Sequence, residues 1–246
     1  MRAALAASWP QIGGGIELEF ETAGGRVRSP LAECSTVRFE CDGSPVRGFA
    51  SFRGQSNFPG LWWFSTTREH VGYESWLERD HLMVFDADST VVGVLSQPFW
   101  FHWRDGRRHA PDYFVRLADG SAVVVDVRAD DRISDEDAEL FSRSHDACSL
   151  VGWEYRRVGA LDPVTAANLR WLSGYRHPRT LRPGVAAALE SAFGCGRPLM
   201  DGARAVGNAI MVLPGLFHML WHGRLVADLA SGVLDEHTMV GLATLR

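Results

Sequence analysis

Two pairs of acids and one cation are spaced for chemistry: Glu74 and Glu78 in "YESWLERD", and Asp112 and Asp126 in "PDYFVRLADGSAVVVDVR", which ends on Arg128. Carboxylates converging from separate elements could hold a hard divalent ion such as Mg²⁺, which keeps several waters and can activate one of them against a phosphodiester. Asp126 and Arg128 are two apart in a strand-like run, which sets both on one face. An acid embedded in "AVVVD" asks for a partner, a metal or an arginine, because burying an unpaired carboxylate is costly. A plainer reading stands beside this one. Acid-x-base is common on strands, Glu74 and Glu78 fit the solvated face of an amphipathic helix, and Asp112 could begin a strand beside a nearby arginine. The order of helix glutamate, strand aspartate, hairpin, aspartate-x-cation and helix favours the metal site.

These residues need elements to position them. From about Gly72 to Phe85, Tyr73, Trp76, Leu77, Met83 and Val84 recur at helical spacing, and Ser65 to Thr67 could cap the helix. Glu74 and Glu78 would then share one helix face. The runs "VVGVLSQ", "FWFHW", "DYFVRL" and "AVVVDVR" read as strands, with "LADGS" as a hairpin turn. Ser134 or Asp135 opens a further helix, "WEYRRVG" is a short strand, and a helix resumes after Pro163. This is an α/β core. Upstream, "IELEFET", "RVRSPL", "STVRFEC" and "GFASF" predict a small antiparallel sheet. From Gly184 onward the pattern is helical, with a hairpin around "MLWHGRLVADL" turning at Gly223 and a winged-helix-like appendage as the expected result. The boundaries fall at 1–60, 61–180 and 181–246.

The totals narrow the function. A net charge of −5 exerts no global pull on nucleic acid, so DNA binding must come from local patches. All 25 basic residues are arginine, so any site that would use lysine must use arginine or nothing. Cys34, Cys41, Cys148 and Cys195 have no CxxC spacing, which argues against zinc and a disulfide framework and for reduced thiols in the cytoplasm. The opening "MRAALAASWPQ" lacks a signal-peptide core, and the apolar tract from Ala205 to Trp221 is too interrupted to span a bilayer, so no membrane association is expected.

His218 and His222 stand four apart but lack a third ligand, which suits a buried or capping role. His109 would lie at the mouth of the acidic site. The tract "GYRHPRTLRPG", holding Arg176 and Arg179, either grips phosphates or is a solvated linker.

The segments "APDYFV…DG…VVVDVR", preceded by "YESWLERD" and "SQPFWF", resemble the PD-(D/E)xK nuclease superfamily, and in particular the TnsA-like endonuclease subunit of heteromeric transposases. The similarity runs from about Arg53 to near Arg179 and is to actinobacterial members. The resemblance implies a restriction-endonuclease-like core, a mixed sheet flanked by helices, with an N-terminal small β region and a C-terminal helical, winged-helix-like appendage. It implies a Mg²⁺-dependent endonuclease, with Mn²⁺ substituting, that cuts double-stranded DNA at transposon ends. Its partners would be a separate DDE transposase and an AAA+ ATPase regulator, and its location the nucleoid. Carried over by position, Glu78, Asp112 and Asp126 hold the metal, Glu74 is the alternative or assisting glutamate, and Arg128 takes the lysine position; by their own placement His109, Arg176 and Arg179 are the candidates for contact with DNA. Asp126 is one methylene shorter than glutamate, and Arg128 stays protonated, so it can hold charge but cannot act as a base. A second reading keeps the fold as a catalytically idle DNA-binding or assembly subunit.

Overall fold

The computed structural model describes residues 15–48 and 58–243; the amino-terminal stretch and most of the expected "GFASF" strand lie outside the described residues. The chain opens with β1 (Glu17–Thr22), β2 (Gly25–Pro30), a one-turn α1 (Phe39–Asp42) and β3 (Gly43–Ser44). After β4 (Gly60–Trp63) and β5 (His70–Tyr73) come α2 (Trp76–Ala87), β6 (Val91–Ser96), β7 (Trp100–His102) and β8 (Arg108–His109). Next are β9 (Tyr113–Leu117), β10 (Ala122–Val127), α3 (Asp135–Leu150), β11 (Glu154–Val158) and α4 (Pro163–Ser173). The last elements are α5 (Val185–Phe193), β12 (Arg197–Pro198), α6 (Leu199–Val206), α7 (Ala209–Trp221), β13 (Leu225–Ala227) and β14 (Met239–Leu242). Among the described residues the fold is therefore mixed α/β, with several sheets.

The residues group into two compact units, not along the boundaries at 60 and 180. One unit comprises 1–61, 71–74 and 91–159; the other comprises 62–70, 75–90 and 160–246. The physical reason within the first unit is a shared core. Phe39 meets Phe20, Phe99, Phe114 and Trp153 at ring-centroid distances of 5.0–5.9 Å, which joins the front strands to the central sheet. The segment "STVRFEC", expected as a strand, instead turns into α1 and drives Phe39 inward. A Cβ at Gly43 would lie 2.5 Å from the Phe39 carbonyl oxygen, so the exit from that turn admits only glycine without a shift.

Among the described residues, two sheets lie wholly in this unit, and the two-stranded β4-β5 sheet lies partly in it. The front sheet runs β2-β1-β7-β8, with β3 also on β1, so "FWFHW" belongs to the front sheet and not to the core sheet. The core sheet runs β11-β10-β9-β6. Strands β6, β9 and β10 are antiparallel neighbours, whereas β11 lies parallel to β10. A parallel return needs a long crossover, and the 16-residue α3 supplies it. Strand β10 has neighbours on both sides, which accounts for its near-continuous apolar run "AVVVDV" and its burial.

In the second unit, α2 begins at Trp76, later than its apolar spacing suggests. Ser75 is the cap: its side chain accepts the Glu78 N–H and donates to Glu78 Oε1 at 2.7 Å. Gly72 and Tyr73 go to β5, so Glu74 precedes the helix and is not on the Glu78 face. Asp86 near the end of α2 is buried and accepts from Trp62 Nε1 and from the Ser65 N–H and hydroxyl. Asp162 caps α4.

The apolar tract at the carboxy end folds as α6 and α7, bent by 120° at Gly207–Asn208, and no single described helix is long and apolar enough to cross a membrane. Gly223, at φ 64°, terminates α7 instead of turning a hairpin. The hairpin lies further on, between β13 and β14, and the sheet order is β12-β14-β13.

Candidate functional site

The site grows from the open end of the β9–β10 hairpin. The two strands pair Val123 with Val115 and Val125 with Tyr113, and Asp126 and Asp112 are the next residues along each chain. Asp112 Oδ2 accepts the Val127 N–H at 2.7 Å, which ties the first acid to the strand that carries the second.

Asp126 is 3% exposed at the end of a strand that is otherwise core. A carboxylate so placed must be hydrogen-bonded, and it is. His109 Nε2 lies 2.9 Å from Oδ1 and 2.8 Å from Oδ2, within hydrogen-bonding distance of both. Tyr155 donates its hydroxyl to Oδ2 at 2.6 Å. Tyr155 reaches the acid because β11 runs parallel to β10 with Tyr155 beside Val124, on the same face as Asp126. Burial, then the charge of Asp126, pushes the Tyr155 phenol well above its ordinary range, so it stays a donor. Burial and the same aspartate also push the Cys148 thiol up, leaving it an inert neighbour. The His109 ring meets Phe141 of α3 edge-on, with centroids 6.1 Å apart.

Arg128 follows the strand and is half exposed. Its Nε donates to the Arg132 carbonyl and its Nη2 to Asp137 Oδ2 at 3.1 Å. Asp137 closes the capping box with Ser134 at the start of α3, and the Ser134 N–H, followed by that hydroxyl and Arg128, holds its carboxyl below the usual range. Asp126 and Arg128 thus both engage groups on the α3 side of the sheet, as their two-residue spacing requires.

Glu74 sits in the same unit but is clasped by Arg47 through two parallel bonds, Nη1–Oε1 at 3.0 Å and Nη2–Oε2 at 2.9 Å. Glu78 belongs to the other unit, buried in the first turn of α2 on its Ser75 cap. Among the expected site residues, hydrogen bonds join His109 of β8 to Asp126 and tie Asp112 to the strand that carries Asp126. No group of three or more His, Cys, Asp or Glu among the described residues is arranged to hold a metal. The donor chemistry still suits a hard ion: two oxygen ligands on adjacent strands leave room for the waters that Mg²⁺ retains.

The basic tract divides in two. Arg176 is turned inward, its guanidinium 4.0 Å from the Trp62 ring centre and 3.9 Å from Asp86, with bonds to the Trp63 and Ser173 carbonyls. Arg179 is exposed, its backbone N–H resting on His177 Nδ1. His218 donates Nδ1–H to the Tyr175 carbonyl at 2.8 Å, and His222 donates Nε2–H to the Arg176 carbonyl at 2.9 Å; both serve as ties for the 175–180 segment.

Tyr155 was not among the residues expected here. It is 29 positions from Asp126 in sequence, and only the parallel register of β11 reveals it. No family model matches the chain, and no curated protein is similar to it.

Proposed function

We propose that the chain is a Mg²⁺-dependent DNA endonuclease subunit of the TnsA-like kind, cutting at the ends of a mobile element beside a separate transposase. The observation that carries this reading is the bond from the Val127 N–H to Asp112, which ties that acid to the strand that carries Asp126 at the mouth of the β9–β10 hairpin. The element order gives further support. A helix, three antiparallel strands, a crossover helix and a fourth, parallel strand, here α2-β6-β9-β10-α3-β11, are compatible with the restriction-endonuclease-like core that the resemblance implies. The order α5-β12-α6-α7-β13-β14 with sheet order β12-β14-β13 is compatible with the winged-helix-like appendage.

In this reading Asp112 and Asp126 hold the ion. A bound Mg²⁺ would lower the pKa of a coordinated water and neutralise charge on the phosphodiester. Arg128, permanently charged and half exposed, would steady the phosphate electrostatically without taking a proton. Arg179 is an exposed cation of the basic tract suited to a phosphate, whereas Arg176 serves its own unit.

A second reading, an idle assembly subunit, is favoured by α7. That helix, which a winged-helix protein would lay on DNA, reads "AIMVLPGLFHMLW", has no arginine and is mostly buried. Nicking of supercoiled plasmid in Mg²⁺ or Mn²⁺ with the partner transposase present separates the two. Cleavage by the wild type that is lost in Asp112→Ala supports the endonuclease; equal behaviour of the two proteins overturns it.

A further inference from the structure

We propose that His109 is a removable guard on Asp126, displaced when a divalent ion binds, while Tyr155 is a positioning residue that stays in place. The inference rests on the metal-site reading above and adds how the site is kept when no ion is bound.

The geometry separates the two partners. His109 Nε2 is nearly equidistant from both oxygens of Asp126, at 2.9 and 2.8 Å, so it occupies the fork of the carboxylate. That fork is where an ion chelated by both oxygens would sit, about 2.0–2.6 Å from each for Mg²⁺ or Ca²⁺. Ring nitrogen and ion cannot share that space. Tyr155, by contrast, bonds Oδ2 alone and leaves Oδ1 to the fork.

Their mountings differ in the same sense. Tyr155 is the second residue of β11, a strand of the core sheet paired along its length with β10. His109 ends the two-residue β8 on a hairpin whose turn holds Gly106 at φ 85°, and its side chain keeps 16% exposure. Rotation about its side-chain bonds would free the fork without disturbing the sheet. In the absence of an ion the guard supplies the hydrogen bonds that a carboxylate 3% exposed needs. His109 thus protects the fold at the expense of metal affinity, whereas Tyr155 favours affinity by fixing the ligand's orientation.

The two residues therefore have effects of opposite sign. Binding of Mn²⁺ to the full chain without DNA, followed by the electron paramagnetic resonance signal of the free ion, reads them directly. His109→Ala and His109→Phe should each lower the half-saturating Mn²⁺ concentration about tenfold, since the ion no longer displaces a hydrogen bond to a charged group. The phenylalanine variant keeps a ring against Phe141 and so guards against a folding artefact. Tyr155→Phe should raise that concentration about tenfold, and Asp126→Asn should abolish binding in every background. If binding depends on Asp126 but the His109 variants bind as the wild type does, or more weakly, the guard is overturned and the metal site stands. If no Asp126-dependent binding occurs in the wild type or either His109 variant, the guard and the metal-site reading fall together.

Discussion

Asp112 accepts the Val127 N–H across 2.7 Å, so the acid before one strand is fastened to the last residue of its neighbour. The bond closes the hairpin end and at the same time holds Asp112 beside Asp126. A residue with both duties can be made to reveal them separately.

Asp112→Asn retains an oxygen that can accept from Val127. Its unfolding free energy in urea should stay within about 1 kcal/mol of the wild type. Mg²⁺-dependent nicking should fall about a hundredfold or more, because a direct ligand loses its charge where even an outer partner of a ligand is worth about 10–100-fold. Equal losses of stability and activity would make Asp112 a purely structural residue.

Arg128→Ala removes a half-exposed pair with Asp137, a type of contact worth about 0–1 kcal/mol. Little change in melting temperature is expected. Nicking should drop about tenfold or more if the guanidinium steadies the phosphate, and unchanged nicking would assign Arg128 to the start of α3 alone.

The thiols should divide into two classes. Cys41 and Cys195 are exposed, whereas Cys34 and Cys148 are buried. Burial pushes the Cys34 thiol to about 11 and that of Cys148 higher still. A colorimetric thiol assay at pH 8 should count two reactive groups in the folded protein and four in denaturant. Rapid reaction of a third thiol in the native protein would contradict the burial of Cys148 beneath the Asp126 site.

His218 supplies a pH dependence. Burial first, with the surrounding His222, Arg224 and His177 adding to it against the bond to Tyr175, lowers its pKa below the ordinary histidine value. The folded protein therefore binds this proton less readily than the unfolded chain. The contribution is complete above about pH 6.5 and is lost as pH falls below it. Urea midpoints measured from pH 8 to 5 should decline, and His218→Asn, which can still donate to the Tyr175 carbonyl, should flatten the decline. An unchanged slope would place the acid sensitivity elsewhere.

Much of the core sheet is legible in the sequence because its signals are local. The "LADGS" turn, the apolar run of β10 and the Ser134 cap each declare themselves within a few residues, and they were enough to mark Asp112 and Asp126. The start of α2 was misplaced because apolar spacing extends through Tyr73, whereas the reciprocal bonds of Ser75 and Glu78 decide where the first turn closes. Phe39 was read as strand for its β-forming neighbours, but burial among four aromatic rings outweighs that weak preference. The clasp of Arg47 on Glu74 and the bond from Tyr155 to Asp126 join residues 27 and 29 positions apart, and nothing in local spacing announces them.

Neither unit is a single stretch of chain: residues 62–70 and 75–90 belong with 160–246, while 71–74 rejoin the first unit. This interleaving sets an order on synthesis. The first unit has every residue it needs once 159 has left the ribosome, whereas α2 is made early and must wait for α4, the helix it packs against. A nascent chain would carry α2 without that partner until residue 173 has been made, and a premature stop before α4 would leave it so permanently. Loss of residues 160–246 should therefore damage a helix encoded far upstream, including the cap that holds Glu78.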